Sequence, residues 1–251
     1  MELFDTHCHF ETTDTAEITA ILRRAAQAGV TRLMAVGGSP ALNDAVAAAV
    51  GIAQSSPEMP RVASALGWDR DQAEATALLP KIDYSGAAAV GEIGLDYHYS
   101  GRTRKAQMEL FANQLELART LDLPVVIHTR EADDDTLGLL REIPSRGIIH
   151  CFTGTPKFCR ELLDLGFMIS ISGIVTFRAA DNVRESALII PDDRLLIETD
   201  SPFLAPVPMR GKANEPAFIT HTAKFLAELR ATPLEKFAEL TTQNAIRTLK
   251  I

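Results

Sequence analysis

Residues 4–9 read FDTHCH and end a short apolar run near the N-terminus with two histidines two positions apart. Alternate side chains of a β-strand lie on the same face, so His7 and His9 are expected to point the same way, about 6 to 7 Å apart along the strand. That spacing suits two ligands of one metal ion, and Asp5 has the same parity and can orient a ligand. Two surface or capping histidines would give the same pattern, so the interpretation depends on what the other strands carry.

Seven further apolar runs follow this one, and nearly all of the eight are succeeded by a helical pattern. Short apolar runs without alternation are typical of strands that are covered on both faces, as in parallel sheets. The runs fall at residues 33–36, 62–66, 87–93, 125–128, 147–150, 167–172 and 195–199. The helical patterns fall at 13–28, 41–53, 70–79, 103–121, 132–141, 156–165 and 181–188.

Eight strand and helix units in about 250 residues predict an α/β fold, a slightly distorted (β/α)8 TIM barrel. A doubly wound open sheet is the main rival, but no Gly-x-Gly-x-x-Gly turn follows a strand. No linker or low-complexity stretch divides the chain, so residues 1–251 are expected to form one domain. Two extra helices are expected at the C-terminus, the second beginning with a capping box at 232–235, TPLE, with proline in the first helical position.

Five of the eight predicted strands end in an imidazole or a carboxylate: His7 and His9, Glu92, His128, His150 and Asp200. Each has an ordinary interpretation alone, because His128 and His150 can be hydrogen-bonded core residues and Asp200 can cap the turn that begins at Ser201. Glu92 is harder to explain, since a buried carboxylate needs a partner. In a barrel the C-terminal strand ends converge on one face, so these side chains are expected to meet in one bowl.

Six such ligands suit a pair of divalent cations. We expect His7, His9 and Asp200 on one ion, His128 and His150 on the other, and Glu92 bridging both. Two ions about 3.5 to 4 Å apart lower the pKa of a shared water molecule and hold the oxygen of the attacked group. Zn²⁺, Mn²⁺, Ni²⁺ and Fe²⁺ suit this ligand mixture and Mg²⁺ prefers more oxygen, so the sequence leaves the metal open.

The composition limits the choice of partners. A formal charge of −8 argues against a broad basic surface for duplex DNA, although metals and a few cationic side chains can hold one or two phosphates. The cysteines are odd in number (Cys8, Cys151 and Cys159), which favours a reducing compartment. No signal-like segment or bilayer-length apolar run is present, so we expect a cytoplasmic protein with no membrane association. A closed barrel has no free edge, which favours a monomer.

Five stretches resemble, in order and over nearly the whole chain, the TatD family of metal-dependent deoxyribonucleases within the amidohydrolase-like barrel enzymes. They are FDTHCH (4–9), GEIGLDY (91–97), PVVIHTREA (124–132), HCFTG (150–154) and ETDSPFL (198–204), the last running on through RGKANEP (210–216). The resemblance implies a metal role for the six side chains named above. It also implies that Asp200 accepts a proton from the attacking water, with Glu198, which has the same parity, assisting or holding a ligand.

One segment departs from this family pattern. Many relatives carry Gly-x-His-Pro after the third strand, whereas residues 67–70 read GWDR. Whatever that histidine does on substrate in the relatives therefore does not carry over to this chain by resemblance.

The leading hypothesis is hydrolysis of phosphodiester bonds, in DNA or a small substrate, at ends or single strands held by a few contacts. Arg130, Arg210 and Lys212 are candidate phosphate contacts, with Asn214 a further substrate-binding candidate, although loop charges are often merely solvated. Trp68 and Phe203 can stack a base or simply pack. The alternative is hydrolysis of amide, ester or lactone bonds, including aminoacyl-tRNA esters, since fold does not determine substrate. A non-enzymatic barrel with structural metals is a third reading.

Overall fold

The computed structural model describes residues 1–251, apart from the side chain of Ser100. In these residues eight parallel strands form one sheet in the order β1 to β8, each paired with its sequence neighbour. The strands are β1 (Leu3–Cys8), β2 (Val30–Gly38), β3 (Arg61–Trp68), β4 (Ala89–Asp96), β5 (Val125–Arg130), β6 (Gly147–Ile149), β7 (Met168–Ile171) and β8 (Leu195–Ile197). The prediction of a (β/α)8 barrel is confirmed.

The barrel is closed by the segment that follows β8. Ser201 forms an isolated parallel bridge with Cys8. The amide of Asp200 donates to the His7 carbonyl at 2.9 Å, and the amide of His9 donates to the Ser201 carbonyl at 2.8 Å. The β1 to β8 seam is therefore made by loop backbone just beyond β8, and the pairs β1/β2, β2/β3 and β4/β5 also contain register shifts.

Helices separate most of the strands and follow the last one. They are α1 (Thr15–Gln27), α2 (Pro40–Gln54), α3 (Tyr97–Ser100), α4 (Arg104–Leu121), α5 (Asp133–Glu142), α6 (Pro156–Asp164), α7 (Asp181–Ile189), α8 (Ile219–Leu229) and α9 (Leu234–Leu249). Several begin at a capping side chain, as when Asp14 accepts from the amide of Glu17 at α1 and Thr155 accepts from Phe158 at α6. Among the described residues, no helix combines the length and hydrophobicity that crossing a bilayer requires.

The prediction of a helix over residues 70–79 is wrong. Two single 3-10 turns replace it, at Arg70–Gln72 and Thr76–Leu78. The carboxylate of Asp69 accepts from the amide of Asp71 and so competes with helical backbone bonding. The segment also lacks an apolar face to bury, since Ala73 is its one buried residue among those described. The third unit of the barrel thus has no covering helix.

The capping box predicted at residues 232–235 is also wrong. Helix α9 begins at Leu234, directly after Pro233, and no side chain caps it. The hydroxyl of Thr232 donates to the carbonyl of Arg230 at 3.2 Å, so it serves the preceding turn. The two C-terminal helices themselves are present as expected.

The interior of the barrel is filled by one layered apolar cluster. It includes Phe4, Met34, Val126, Ile148 and Leu196 from the strands, with Ala245 and Leu249 contributed by α9. The amide of Asn244 donates to the carbonyl of Leu195, where β8 begins, so α9 lies across the N-terminal ends of the strands. With that end closed by α9, the C-terminal strand ends form the face that carries the candidate site.

Candidate metal centre

All six predicted metal ligands converge at the C-terminal end of the barrel. Within the described part of the chain, their ligand atoms form three overlapping groups, each contained within 4.8 Å. The groups are His7, His150 and Asp200; His7, His9 and Glu92; and Glu92, His128 and His150. Side chains from five strands or strand ends are thereby brought into one compact cluster.

Glu92 lies in the middle of this cluster, with its two oxygens facing opposite ways. Oε2 lies 3.6 Å from Nε2 of His7 and 3.5 Å from Nε2 of His9. Oε1 lies 3.4 Å from Nδ1 of His128 and 3.6 Å from Nε2 of His150. One carboxylate thus separates two pairs of imidazoles, an arrangement that suits a ligand shared by two cations.

Asp200 completes the side of the cluster that holds His7 and His9. Its Oδ1 lies 3.8 Å from Nε2 of His7 and 3.7 Å from Nε2 of His9. The two Nε2 atoms are themselves 3.0 Å apart. Two imidazoles and two carboxylates therefore surround one point, whereas His128 and His150 share the other point with Glu92.

Hydrogen bonds outside the cluster fix the tautomers of two histidines. Nδ1 of His9 lies 2.9 Å from the Val36 carbonyl, and Nε2 of His128 lies 3.0 Å from Oδ2 of Asp96. Burial lowers the pKa of both rings, so each is neutral at pH 7. Because carbonyl and carboxylate oxygens only accept, those nitrogens carry the proton, and the other nitrogen of each ring presents a lone pair to the cluster.

The buried groups of the cluster shift one another's pKa values in opposite directions. Burial and the neighbouring His150 lower the pKa of His7 to about 3, whereas Glu92 and Glu198 raise the pKa of His150 well above its usual value despite burial. Burial opposes ionisation of Glu92, but His150 and His7 outweigh it and hold the pKa of Glu92 well below its usual range. Imidazole nitrogens and carboxylate oxygens are donors that divalent transition metals take in proteins, and here they lie close enough together to share an ion, so the donor set fits divalent metals.

Asp200 responds in the opposite direction. Burial raises the pKa of Asp200 to about 8, and the charges of Glu198 and Glu92 contribute to this shift. The backbone also turns sharply here, since Asp200 has a φ of 56° and Cys151, which follows His150, has a φ of 44°. Positive φ at residues other than glycine is uncommon and concentrates at functional sites.

Glu198 and Asp5 support the cluster from beneath. Glu198 is fully buried, accepts from the Cys151 amide at 2.6 Å and lies 3.4 Å from Nδ1 of His150. Asp5 accepts from the amide and hydroxyl of Thr199 at 2.9 and 2.6 Å. Asp5 therefore holds the backbone next to Asp200, and Glu198 holds the strained turn after His150.

The cationic substrate candidates lie around the mouth of the barrel. Arg130, at the end of β5, has its guanidinium carbon 4.6 Å from the ring centroid of Tyr99. Arg210 lies in the same way 4.0 Å from the ring centroid of Phe177 and donates to a backbone carbonyl. Lys212 is exposed. Both arginines are therefore packed on aromatic rings.

Asn214 is placed beneath the loop that follows β8. It is 5% exposed, and its amide donates to the carbonyls of Thr199 and Phe203 at 2.8 and 2.6 Å. Its Oδ1 accepts from the amide of Glu215. These bonds hold the loop in its conformation. Asn214, predicted to bind substrate, thus bonds to the backbone of the loop in this structure.

The two aromatic candidates differ in accessibility. Phe203 is 52% exposed, and its ring centroid lies 6.4 Å from that of His9 at the edge of the cluster. Trp68 is partly buried, and both its amide and its carbonyl bond to the side chain of Gln114. Of the two, Phe203 is the one positioned at the rim of the site.

Two residues of the site escaped the sequence reasoning. Asp96 orients His128, and its position four residues after Glu92 in the same strand, with equal parity, was the available signal. Arg70 donates from Nη1 to Oε1 of Glu92 at 2.7 Å. It lies two residues after the end of β3, in the segment predicted to be a helix, and that prediction gave no reason to expect its contact with Glu92.

Comparison with known proteins gives consistent relationships over the whole chain. The profile of the family described as TatD related DNase matches residues 4–250. An uncharacterized metal-dependent hydrolase of Bacillus subtilis, YabD, is 37% identical over 99% of both chains. Another from Escherichia coli, YcfH, is 48% identical over 169 residues, which is 66% of this chain and slightly less than two thirds of that relative, 64%. The crystal structure of YjjV, a TatD homolog from Escherichia coli, superposes with a TM-score of 0.84 at 27% identity, covering 99% of this chain and 98% of that one.

Proposed function

The chain belongs to the family of TatD-related DNases, which are metal-dependent hydrolases, and from this premise we propose that it hydrolyses phosphodiester bonds in DNA. The observation that carries the proposal is the placement of Glu92 between two pairs of imidazoles, with Asp200 beside one pair. A site of this shape suits two cations, which is the arrangement that many phosphodiesterases use for displacement at phosphorus.

The side chains divide into two sets of ligands. His7, His9 and Asp200 would hold one cation, His128 and His150 the other, and Glu92 would be shared. Bound divalent cations would supply Lewis acidity, lowering the pKa of a water molecule and neutralising charge that develops on the phosphoryl oxygens. The mixture of imidazole and carboxylate suits Zn²⁺, Mn²⁺, Ni²⁺ or Fe²⁺ better than Mg²⁺.

The remaining chemistry belongs to side chains of this protein. Asp200 would accept the proton of the attacking water at its carboxylate, a role supported by the position of its Oδ1, 3.8 Å from Nε2 of His7 and 3.7 Å from Nε2 of His9. Asp96 holds His128 in one orientation through their 3.0 Å contact. Glu198 acts through His150 and the Cys151 amide, so we assign it to positioning.

Substrate would be held by few contacts at the rim. Phe203, exposed beside His9, offers a face for a nucleobase. Arg130, Arg210 and Lys212 are the proposed outer phosphate contacts, and Asn214 supports the loop that carries two of them. The net charge of −8 supports action on ends or single strands, with little of the salt dependence of a broad duplex binder.

The test uses purified protein loaded with Mn²⁺ or Zn²⁺ and incubated with single- and double-stranded oligonucleotides. We expect cleavage by the wild type and a loss of at least about 100-fold in His128→Ala and Asp200→Ala, since each removes a ligand of the cluster. His221→Ala on α8, outside the cluster, is the matched control and should retain activity. Absence of cleavage, or equal cleavage by the ligand variants, contradicts the proposal. Turnover of p-nitrophenyl acetate without DNA cleavage would favour the ester hydrolase alternative.

A monomeric state and a cytoplasmic location also stay predictions. The first rests on a barrel whose strand edges are closed on one another. Light scattering coupled to size-exclusion chromatography measures it, and we expect a mass near 27.3 kDa.

A further inference from the structure

Arg70 occupies a place where the chain departs from the family pattern, and it contacts the candidate metal centre directly. Its Nη1 donates to Oε1 of Glu92 at 2.7 Å. That oxygen is the one that faces His128 and His150. Among the described residues, Arg70 is the one arginine or lysine that forms an ion pair with any of the six cluster side chains.

The contact with Glu92 leaves most of the guanidinium available. A guanidinium has five N–H donors, and the ion pair with Glu92 at 2.7 Å and the looser one between Nε and Asp71 at 3.6 Å account for fewer than that. The side chain is 22% exposed, whereas that of Glu92 is 6% exposed. Arg70 therefore reaches from the mouth of the barrel to the edge of the cluster and is open to solvent on its outer side.

The surroundings of Arg70 hold it at this spot. Asp69 caps the short turn that begins at Arg70, accepting from the amide of Asp71 at 2.9 Å. The amide of Asp69 donates to the Gly38 carbonyl at the end of β2 at 2.8 Å. The backbone at the base of the side chain is thus anchored to two neighbouring strand ends, and the guanidinium itself is held at the site by its ion pair with Glu92.

An arginine at the edge of the candidate metal centre favours the binding of an anionic ligand. Its planar fork matches the geometry of phosphate oxygens, and it cannot be deprotonated near neutral pH. A neutral ester or amide would gain nothing comparable from it. The other arginines proposed as phosphate contacts, Arg130 and Arg210, are packed on the rings of Tyr99 and Phe177 instead.

We propose that Arg70 binds a charged oxygen of the substrate phosphate while remaining beside Glu92, and that it restricts this site to anionic phosphate esters. The proposal rests on the proposed function and deepens it, since it names the substrate class and a specificity-determining residue. Arg70 stands in the segment, residues 67–70, in which the chain departs from the family pattern.

The test measures binding of inorganic phosphate to the metal-loaded protein by calorimetry. Arg70→Met keeps the length of the side chain and removes its charge, and Arg70→Lys restores the charge without the fork. Arg61→Met, at the opposite end of the same strand, is the matched control. Metal content is measured in every sample. At equal metal content, we expect phosphate to bind about 10- to 100-fold more weakly to Arg70→Met than to the wild type. The affinity of Arg70→Lys should lie between those two, and that of Arg61→Met should equal the wild-type affinity.

A purely structural role would give a different result. If Arg70 only positions Glu92, Arg70→Met would bind metal more weakly while its affinity for phosphate at full metal occupancy stayed equal to that of the wild type, and the proposal would be overturned. Circular dichroism establishes folding, and Arg70→Lys carries the test should Arg70→Met unfold.

The two proposals fail separately. Oligonucleotide cleavage with unchanged phosphate affinity in both Arg70 variants keeps the nuclease function and removes the role of Arg70. Phosphate binding that depends on Arg70, without any cleavage of oligonucleotides, keeps the anion site and removes the nuclease function.

Discussion

His128 illustrates how one residue outside the cluster orients a candidate ligand inside it. The ring can present Nδ1 to Glu92 because its Nε2 proton is held by Asp96. We expect Asp96→Asn to weaken metal binding by about 10- to 100-fold, since a neutral amide stabilises this orientation less than a carboxylate does. Competition titration with a chelating dye measures the affinity. An unchanged affinity would show that Asp96 serves only to cap α3, which it does through the Tyr99 amide.

Asp69 provides a prediction about pH. Burial raises its pKa to about 6, with a further contribution from Glu92. The folded state therefore holds more protons than the unfolded state between about pH 4 and 6, and the free energy of unfolding falls as the pH rises through that window. Asp69→Asn removes this loss and retains an acceptor for the Asp71 amide.

We expect the free energy of unfolding of Asp69→Asn, relative to that of the wild type, to increase by about 1 to 2 kcal/mol between pH 4 and pH 7. This is less than the full free-energy equivalent of the pKa shift, because Asp69 is partly exposed. Urea denaturation of the metal-free proteins at the two pH values measures it. A difference in free energy of unfolding between variant and wild type that does not change with pH would contradict the raised pKa of Asp69.

At the scale of single residues, the sequence revealed the candidate ligands and concealed the residues that support them. His7, His9, His128 and His150 stand out because an imidazole at the end of an apolar strand is conspicuous. Asp96 and Arg70 do not stand out, since their importance lies in contacts with side chains 32 and 22 positions away. Such contacts depend on strand register and on the path of a loop, which a single sequence does not reveal.

Strands β4 and β5 approach closely at Gly94, and this contact matters for the whole element. Gly94 has a φ of 131°, and a Cβ placed there would lie 2.0 Å from the carbonyl oxygen of His128. We expect Gly94→Ala to lower the free energy of unfolding by about 3 kcal/mol or more, because both the backbone conformation and the space exclude a side chain.

A glycine in a helix gives the matched control for Gly94→Ala. Gly138 in α5 is exposed, and a Cβ there would meet nothing within 4 Å. Gly138→Ala should raise the free energy of unfolding by about 0.5 to 1 kcal/mol, since alanine has the higher helix propensity. Thermal and urea denaturation measure the stability of both variants. Equal changes in the free energy of unfolding for the two substitutions would contradict the close approach of β4 and β5 at Gly94.

Elements were predictable where burial governs them. All eight strands were anticipated, since a strand covered on both faces must be apolar throughout. A helix over residues 70–79 was predicted but is absent, because the Asp69 side chain bonds the local backbone and the segment has no apolar stripe to favour a helix. The start of α9 was also misplaced, because Thr232 bonds backward to Arg230 and leaves the helix uncapped.

On the scale of the molecule, the apolar interior and the candidate metal centre lie at opposite ends of the barrel. The interior cluster and α9 fill the N-terminal half, and the candidate ligands occupy the C-terminal rim with polar supports such as Asp5 and Glu198 beneath them. The fold therefore has a core that is independent of metal. Binding of cations to the folded state alone should still add stability according to their concentration and affinity.

The central claim is that these six side chains hold two cations on either side of Glu92. Anomalous diffraction from crystals grown with Mn²⁺ or Zn²⁺ tests it most directly. We predict two peaks about 3.5 to 4 Å apart, one near His7, His9 and Asp200 and the other near His128 and His150, with Glu92 between them. At saturating metal, the absence of any peak within the cluster, or peaks that leave Glu92 uncoordinated, would contradict the account.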